Sequence, residues 1–200
     1  MKSQEIKLMM LSELLFGRNY QCAVTECSLF HGIADVLGLT KAGFSHEIEV
    51  KCSKQDLKSE IDCLDILLRG VKQEKSKAKL WKHKYYLNNQ LKDPSIFDKS
   101  NYETVYRSIY TKPSNIPNKF SFCVTKELLD YAKESLKNTP YGLYVCYENN
   151  VGEIKVPDYL HKEKMNDENK MSLLRKVSTE IFYVRTELYN LKKLSLAVNK

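Results

Sequence analysis

The sequence has few of the features that mark membrane, collagenous or disulfide-stabilised proteins. Only seven of its 200 residues are glycine and five are proline, which excludes a collagen-like chain and argues against broad disorder. No apolar run reaches the roughly 18 residues of a membrane-spanning helix, so we expect no contact with a membrane. Residues 1–16 carry Glu5, Lys7 and Glu13 among their apolar positions, unlike the uncharged core of a signal peptide. We therefore expect a globular protein of the cytoplasm.

Cysteine spacing argues against a disulfide framework and against a zinc site. The chain has six cysteines, with neither a CxxC pair nor a nearby CxxH. In a reducing cytoplasm, cysteines without such spacing are usually small buried apolar residues. We expect all six to be free thiols in the protein interior.

Positive charge is in modest excess and concentrates in one segment. The chain has 32 Lys and Arg against 25 Asp and Glu, a formal net charge of +7. Trp81, Tyr85 and Tyr86 follow or interrupt a lysine cluster formed by Lys72, Lys75, Lys77, Lys79, Lys82 and Lys84. Basic residues beside aromatic ones suit phosphate neutralisation and base stacking, and they suit the solvated face of an amphipathic helix equally well. The composition leaves both interpretations open.

Hydrophobic periodicity predicts a mixed α/β architecture. Helical spacing favours helices at 3–16, 54–68, 126–136 and 171–194. Alternation favours strands at 20–26, 33–39, 44–52, 119–124, 142–147 and 153–156, with a hairpin turn at 40–43. This order predicts a helix, a three-strand meander, and then helix, strand, helix and strand, followed by a C-terminal helix. We predict one domain at 1–160 with a partly helical, lysine- and tyrosine-rich surface insertion at about 70–115, and a C-terminal helical extension at 161–200.

Three charged residues stand out against this apolar pattern. Asp35 lies inside an apolar strand, where an unpaired charge costs several kcal/mol. Glu49 and Lys51 project from one face of the next strand, two residues apart. If the two strands pair across the turn, Asp35 and Glu49 approach each other, and with a backbone carbonyl they suit Mg²⁺. A lysine beside such an ion could act on a water or offset phosphate charge, although a surface ion pair explains the pattern about as well.

The combination resembles the PD-(D/E)XK nuclease signature. Asp35 is followed after thirteen residues by Glu49-Val50-Lys51, on a matching helix, meander and helix pattern. The order of segments over residues 5–165 is similar to that of small bacterial and phage nucleases of the DNA-repair type. The segments that carry the likeness are Ala34 to Gly38, Glu47 to Asp56, Lys82 to Tyr85, Pro117 to Val124 and Pro140 to Val145.

The resemblance implies a restriction-endonuclease-like fold and a metal-dependent deoxyribonuclease acting in DNA repair or phage DNA processing. It implies that Asp35, Glu49 and the carbonyl of Val50 hold Mg²⁺ or Mn²⁺, and that Lys51 is catalytic. Glu5 of the first helix and Glu26 of the first strand are additional candidates for the same site. DNA is the implied partner, and a homodimer is a further expectation because many such enzymes pair to cut two strands. The predicted nucleic-acid contacts are Lys54, Lys58, Lys79, Lys82, His83 and Lys84.

The sequence departs from the family pattern at three positions. Ala34 stands where the family often has proline, Lys54 where it usually has arginine, and Thr125 where a proline is common. Lysine in place of arginine keeps the charge but loses bidentate phosphate recognition. None of the three changes removes an implied metal ligand.

A second hypothesis is a catalytically inactive module of this fold that binds nucleic acid or a protein. It draws on an apolar stripe along the C-terminal helix, formed by Leu173, Leu174, Val177, Ile181, Val184, Leu188 and Leu191. Such a stripe is more often packed in a core than used as an interface. Metal-dependent cleavage distinguishes the nuclease from the binding module.

Overall fold

The centre of the computed structural model, which describes residues 1–69, 77–87 and 113–198, is a six-stranded sheet whose strands lie side by side in chain order. Strands one to three form an antiparallel meander, the third, fourth and fifth are parallel, and the sixth is antiparallel to the fifth. The strands are β1 (Cys22–Cys27), β2 (Ala34–Leu39), β3 (Ser45–Lys51), β4 (Lys119–Thr125), β5 (Gly142–Cys146) and β6 (Val151–Lys155).

Helices cover both faces of this sheet. They are α1 (Ser3–Ser12), α2 (Lys54–Arg69), α3 (Lys77–Tyr86), α4 (Leu129–Leu136) and α5 (Asp167–Val198). A π-helical turn, Glu13–Gly17, extends α1, and short 3₁₀ turns, Pro113–Asn115 and Lys126–Leu128, precede β4 and α4. Because parallel strands need crossover connections, α2 and α3 lie between β3 and β4 in sequence, and α4 between β4 and β5.

Each face has its own apolar core. On one face, Ile6 and Met10 of α1 pack against Val36, Ile48 and Val50. On the other face, α2, α3 and α4 pack against the aromatic side chains of β4, and the first turns of α5 cover β1 and β2. The site described below lies at the adjoining ends of β2 and β3 and takes side chains from helices on both faces.

The β2–β3 turn sets the register on which the site depends. Gly43 has a φ of +86°, a left-handed conformation that favours glycine. The amide of Gly43 donates to the carbonyl of Thr40 over 2.9 Å, and the amide of Phe44 donates to the Thr40 hydroxyl over 3.0 Å. The resulting register places Leu37 opposite Glu47 and Val36 opposite Ile48.

The mixed α/β architecture with a C-terminal helix is confirmed. Each helix and strand predicted outside residues 70–115 is present, with ends displaced by a few residues. Much of the predicted insertion, at 70–76 and 88–112, lies outside the described residues. The prediction of a surface excursion is wrong for the end of α3, because Tyr85, Tyr86 and Leu87 are buried in the core beside Phe120.

The predicted boundary at residue 160 does not separate the C-terminal segment from the core. Met165 and Leu173 are buried against Val24 and Leu37 of the meander. Beyond Val177 the stripe on α5 is exposed, so its interpretation as core is wrong for the outer half of the helix. Within the described part of the chain, no helix is both long and apolar enough to cross a membrane.

All six cysteines are free, as the spacing predicted. Five of them are buried and agree with the expectation of interior thiols. Cys52 is exposed, because it follows the last residue of β3 at the surface end of the strand.

Candidate active site

Two acidic residues, Asp35 and Glu49, lie at adjoining ends of β2 and β3. The antiparallel register pairs Val36 with Ile48, so Asp35 and Glu49 are the next residues along the two strands, and the charge of Glu49 acts on Asp35. The Asp35 carboxylate also accepts a hydrogen bond of 2.7 Å from the amide of Val50. Lys51 lies two residues beyond Glu49 on the same face, with its ammonium 3.3 Å from the Glu49 carboxylate. The three residues of the predicted catalytic set are therefore neighbours in space.

Glu26 joins this row from β1. Thr25 pairs with Val36 and Cys27 with Ala34, so the intervening Glu26 lies opposite Asp35. The backbone of Glu26 has a φ of +50°, a left-handed conformation that is costly for a residue other than glycine. Lys7 of α1 lies 2.6 Å from Asp35 and also contacts the Glu26 carboxylate, which links the two acids.

On the opposite side of Glu49, α3 contributes a buried lysine. The Lys82 ammonium lies 2.5 Å from Glu49 and 2.6 Å from Glu47, two residues that point to the same face of β3. Tyr86, one turn further along α3, donates a hydrogen bond of 2.7 Å to Glu47. Helix α3 thus holds both acidic side chains of β3 in place.

A third chain of contacts starts at Lys51 and leads into the core. The Lys51 ammonium lies 3.1 Å from Glu60 of α2 and 3.5 Å from Asp56. The second oxygen of Glu60 lies 2.6 Å from Nε2 of His83, and Nδ1 of His83 is 3.0 Å from the Tyr141 hydroxyl. Lys51 is therefore fixed from two sides, by its own strand and by α2.

The electrostatic environment shifts the pKa values of Asp35 and Glu49 in opposite directions. Burial and the nearby charge of Glu49 raise the pKa of Asp35, although Lys7 and the Val50 amide oppose this shift. Burial also acts to raise the pKa of Glu49, but the charges of Lys82 and Lys51 outweigh it and lower that pKa. Glu49 is consequently held ionised more firmly than Asp35.

Lys51 and Lys82 are held in their charged forms. Burial acts to lower the pKa of each lysine, but the surrounding carboxylates, led by Glu49 for Lys51 and by Glu47 for Lys82, outweigh it and raise both values. Glu47 itself has a raised pKa because burial outweighs its attraction to Lys82. A lysine held protonated offsets negative charge and does not accept a proton.

The donor set suits a hard divalent cation. Carboxylate oxygens are the ligands that Mg²⁺ and Mn²⁺ prefer. Asp35 and Glu49 each already bind a cationic group, the ammonium of Lys7 and that of Lys82. Among the described side chains, the cluster has a formal excess of three negative charges, from Glu26, Asp35, Glu47, Glu49, Asp56 and Glu60 against Lys7, Lys51 and Lys82. One divalent ion would offset two of them.

Side chains alone do not complete a metal-binding group. Within residues 1–69, 77–87 and 113–198, no three His, Cys, Asp or Glu side chains lie close enough together to hold a metal. An ion at this site would therefore rest on Asp35 and Glu49 and would need a ligand of another kind. The carbonyl of Val50 stays the predicted third ligand.

Glu5 is exposed and makes a contact of its own at the start of α1. Its carboxylate accepts a hydrogen bond of 2.8 Å from the amide of Lys2 and so caps the first turn of α1. Lys7, which lies on the buried side of the same helix, is the residue of α1 that reaches Asp35. The first helix thus supplies a cation where the resemblance implied an acid.

Two of the predicted nucleic-acid contacts have buried side chains. His83 is fully buried between Glu60 and Tyr141, and Lys82 is 8% exposed between Glu47 and Glu49. Their side chains bind residues of the protein and do not face solvent.

The other predicted contacts keep part of their surface. Lys54 and Lys58 are exposed at the start of α2, where Lys58 pairs with Asp62 and Lys54 lies over the ring of Tyr131. Lys84 is half-buried on α3. Lys79 belongs to the same helix, but its side chain lies outside the described residues.

Sequence reasoning missed Lys7 and Glu60 as members of the cluster. A signal was present for both residues. Lys7 precedes Met10 and Leu14 at helical spacing on the apolar side of α1, and Glu60 lies between Leu57 and Leu64 on the buried side of α2. A charged residue inside an apolar stripe needs a buried partner of opposite charge, and here both residues find one in the cluster.

Comparison with known proteins gives little further guidance. No protein-family model matches the chain, and no curated protein matches it. A solved structure of a protein of unknown function from Silicibacter pomeroyi is similar at 15% sequence identity and a TM-score of 0.47, over 88% of this chain and 83% of that one. A similarity at this level carries no argument about function.

Proposed function

We propose that the protein is a metal-dependent nuclease that hydrolyses phosphodiester bonds in DNA, built on the restriction-endonuclease-like fold that its sequence resembles. The observation that carries this proposal is the proximity of Asp35, Glu49 and Lys51 at the adjoining ends of β2 and β3. The same three residues form the signature that the sequence resembles. A chance surface ion pair was the competing explanation of the pattern. The contact between Glu49 and Lys51, both with side chains less than 15% exposed, and the further contact of Lys51 with buried Glu60 argue against it.

In this proposal the acids hold the ion and the lysine supports the substrate. Asp35, Glu49 and the carbonyl of Val50 would bind Mg²⁺ or Mn²⁺, which would supply Lewis-acid polarisation of the scissile phosphate. Because Lys51 is held protonated by Glu49 and Glu60, we assign it to stabilising negative charge that develops on the phosphate. The sequence allowed two roles for Lys51, acting on a water and offsetting phosphate charge. We assign it the second.

The start of α2 offers a surface for the DNA backbone. This helix begins three residues after Lys51, and Ser53 accepts a hydrogen bond from the amide of Asp56 in its first turn. Lys54 and Lys58 are exposed there, beside the electropositive end of the helix. We assign these two lysines to phosphate contacts that carry no sequence specificity.

The proposal is tested by incubating the purified full chain with linear, branched and single-stranded DNA in the presence of Mg²⁺, Mn²⁺ or chelator. We expect cleavage that requires the metal and that falls about a thousandfold, roughly 4 kcal/mol of transition-state stabilisation, in Asp35→Asn, Glu49→Gln and Lys51→Met. Glu148→Gln, at an exposed turn between β5 and β6, is the matched control and should keep full activity. Cleavage that survives all three substitutions would refute the assignment.

One observation favours a second candidate, a catalytically inactive module of the same fold. Asp35 and Glu49 each have an ammonium group within 2.6 Å, from Lys7 and Lys82 respectively, so internal cations already neutralise both acids. A cluster that is neutralised internally can be retained for the structure it stabilises. In that case the exposed basic residues would bind DNA without metal-dependent turnover.

Metal titration distinguishes the two candidates. For the nuclease we expect Mn²⁺ to raise the thermal midpoint of the wild-type chain, because a ligand that binds only the folded state stabilises it. The increase should vanish in the double variant Asp35→Asn with Glu49→Gln. If the midpoint stays constant and DNA affinity depends steeply on salt, the inactive module is the better description.

A further inference from the structure

The outer half of α5 exposes an apolar surface that the rest of the described chain does not cover. At the start of the helix Leu173 is fully buried against the meander. Further along, Ile181 and Leu188 are about half exposed, at 49% and 52%, and Leu191 is 62% exposed. Isolated exposed apolar residues are common, but a contiguous series along a long helix marks an interaction surface.

The spacing of these residues is that of a coiled-coil seam. Ile181, Val184, Leu188 and Leu191 follow one another at alternating intervals of three and four residues, the a and d positions of a heptad repeat. The series begins one heptad earlier with Leu174 and Val177, and in the sequence it continues to Ser195 and Val198. Because Val177 packs against the protein's own core, the uncovered part of the series, from Ile181 to Val198, extends over about two and a half heptads.

The charges beside the seam select the partner and its direction. In this heptad frame Glu180 and Glu187 occupy g positions, while Arg185 and Lys192 occupy e positions. In a parallel pair, each g residue meets the e residue five positions later on the other helix, so Glu180 meets Arg185 and Glu187 meets Lys192. An antiparallel pair would bring glutamate to glutamate and basic residue to basic residue. The surface is therefore complementary to a parallel copy of itself.

We propose that the protein forms a homodimer in which the outer half of α5, from Ile181 to Val198, pairs in parallel with the same helix of a second copy. The turn at Val177 marks the inner end of this seam, because Val177 packs against the protein's own core. Glu180 already has an intrahelical pair with Lys176 at 3.5 Å, which is a surface contact of small energy and does not compete strongly. The dimer is independent of the proposed nuclease activity, since α5 contributes no residue to the site.

The first test is the mass of the full chain in solution. By sedimentation equilibrium we expect twice the mass of one chain for the wild type and a single-chain mass for Ile181→Lys combined with Leu188→Lys. The matched control places lysine on the outer side of the helix, in Thr179→Lys combined with Thr186→Lys, and should remain dimeric. All four replaced side chains are exposed, so circular dichroism should report the same fold in each variant.

The second test addresses direction. Reversing the g positions, in Glu180→Lys combined with Glu187→Lys, places like charges together in a parallel pair and should weaken the dimer by about tenfold or more. Adding Arg185→Glu and Lys192→Glu should restore it. In a Cys52→Ser background, whose remaining native thiols are buried, Leu191→Cys should form a disulfide-linked dimer on oxidation.

Three outcomes would overturn the proposal. A wild-type chain that stays monomeric at high concentration would overturn it. If that monomer also co-sedimented with phosphatidylserine vesicles, the apolar face would be a lipid-binding surface instead. A dimer unaffected by lysine at residues 181 and 188 would place the interface elsewhere. A dimer that tolerates reversal of Glu180 and Glu187 without weakening would exclude the parallel arrangement.

Discussion

The charged cluster on β3 and the outer half of α5 both depart from the usual division between apolar core and polar surface, in opposite directions. Beside β3 the protein buries carboxylates and lysines, and each described lysine there finds carboxylates within 3.5 Å. Along α5 it exposes apolar side chains that find no cover in the described chain. The buried charges are paired inside the molecule, whereas the apolar face has no cover among the described residues. The cluster is therefore a candidate for chemistry, and the helix is a candidate for assembly.

The largest expected effect follows from removing a charge that the cluster depends on. Lys82→Met leaves Glu47, which is 1% exposed, without its counter-charge, and we expect the free energy of unfolding to fall by about 3–5 kcal/mol. Burial already raises the pKa of Glu47, and loss of Lys82 raises it further. An acid whose pKa is raised in the folded state makes stability fall as pH rises from its unfolded to its folded pKa, so the loss should be greater at pH 8 than at pH 5.

Urea denaturation of Lys82→Met at both pH values checks this expectation. The double variant that adds Glu47→Gln should recover part of the loss, because the buried charge is then absent. Lys58→Met is the matched control, since Lys58 is exposed and pairs with Asp62 on a single helix, and it should have little effect. If the two variants lost the same free energy of unfolding, the charges of the cluster would contribute no more than exposed ion pairs do. The contrast drawn with α5 would then fail.

A second expectation concerns a buried group on the same strand that faces away from the cluster. His46 lies between the Tyr20 hydroxyl and the Ser121 hydroxyl, at 3.0 and 2.8 Å, and among the described residues it has no acidic hydrogen-bond partner. Burial, together with Lys119 and Arg18, lowers the pKa of His46 from 6.5 to about 3. Below pH 6.5 the unfolded chain takes up a proton that the folded chain does not, so stability falls as pH falls.

Between pH 6.5 and pH 5 this proton should cost the wild type about 2 kcal/mol of stability. In His46→Gln that part of the pH dependence should be absent, although the variant has its own cost at neutral pH. Denaturation at pH 7.5, 6.5 and 5 measures the difference between the two proteins. If the stability of the two proteins had the same pH dependence, His46 would take up its proton in the folded state as well. The apolar face of β3 would then tolerate a charge as the cluster face does.

The smallest expected effect is on the exposed helix. Tyr183 is 65% exposed on α5, so Tyr183→Ser should change the free energy of unfolding by no more than about 0.5 kcal/mol in dilute solution. Leu173→Ala, on the same helix but fully buried, should cost about 2–5 kcal/mol. Thermal denaturation of the two variants compares the covered and uncovered halves directly. A large loss at Tyr183 would mean that the outer half is covered within one chain.

The helices and strands were predictable because the hydrophobic periodicity of each is contained in its own segment of the sequence. Strand β3 alternates along seven residues, and α2 repeats leucine and isoleucine at helical spacing. The sequence of helix α3 is basic on nearly every side, which favours a surface position. Its composition does not reveal that carboxylates of β3 and α2 contact Lys82 and His83 in the folded protein. For the site, the prediction rested on Asp35, Glu49 and Lys51, and their placement together agrees with it.

The amino-acid sequence alone determined the strands and helices, and it determined that Glu47, Glu49 and Lys51 share one face, because side chains alternate strictly along an extended backbone. Only the tertiary structure decided which groups meet that face. Glu60 and Lys82 reach it from two different helices, the register of a hairpin brings Asp35 to the same end of the sheet, and Lys7 of a third helix contacts Asp35. Contacts between distant segments depend on how whole helices and strands pack. The periodicity of one segment does not identify the segment that packs against it.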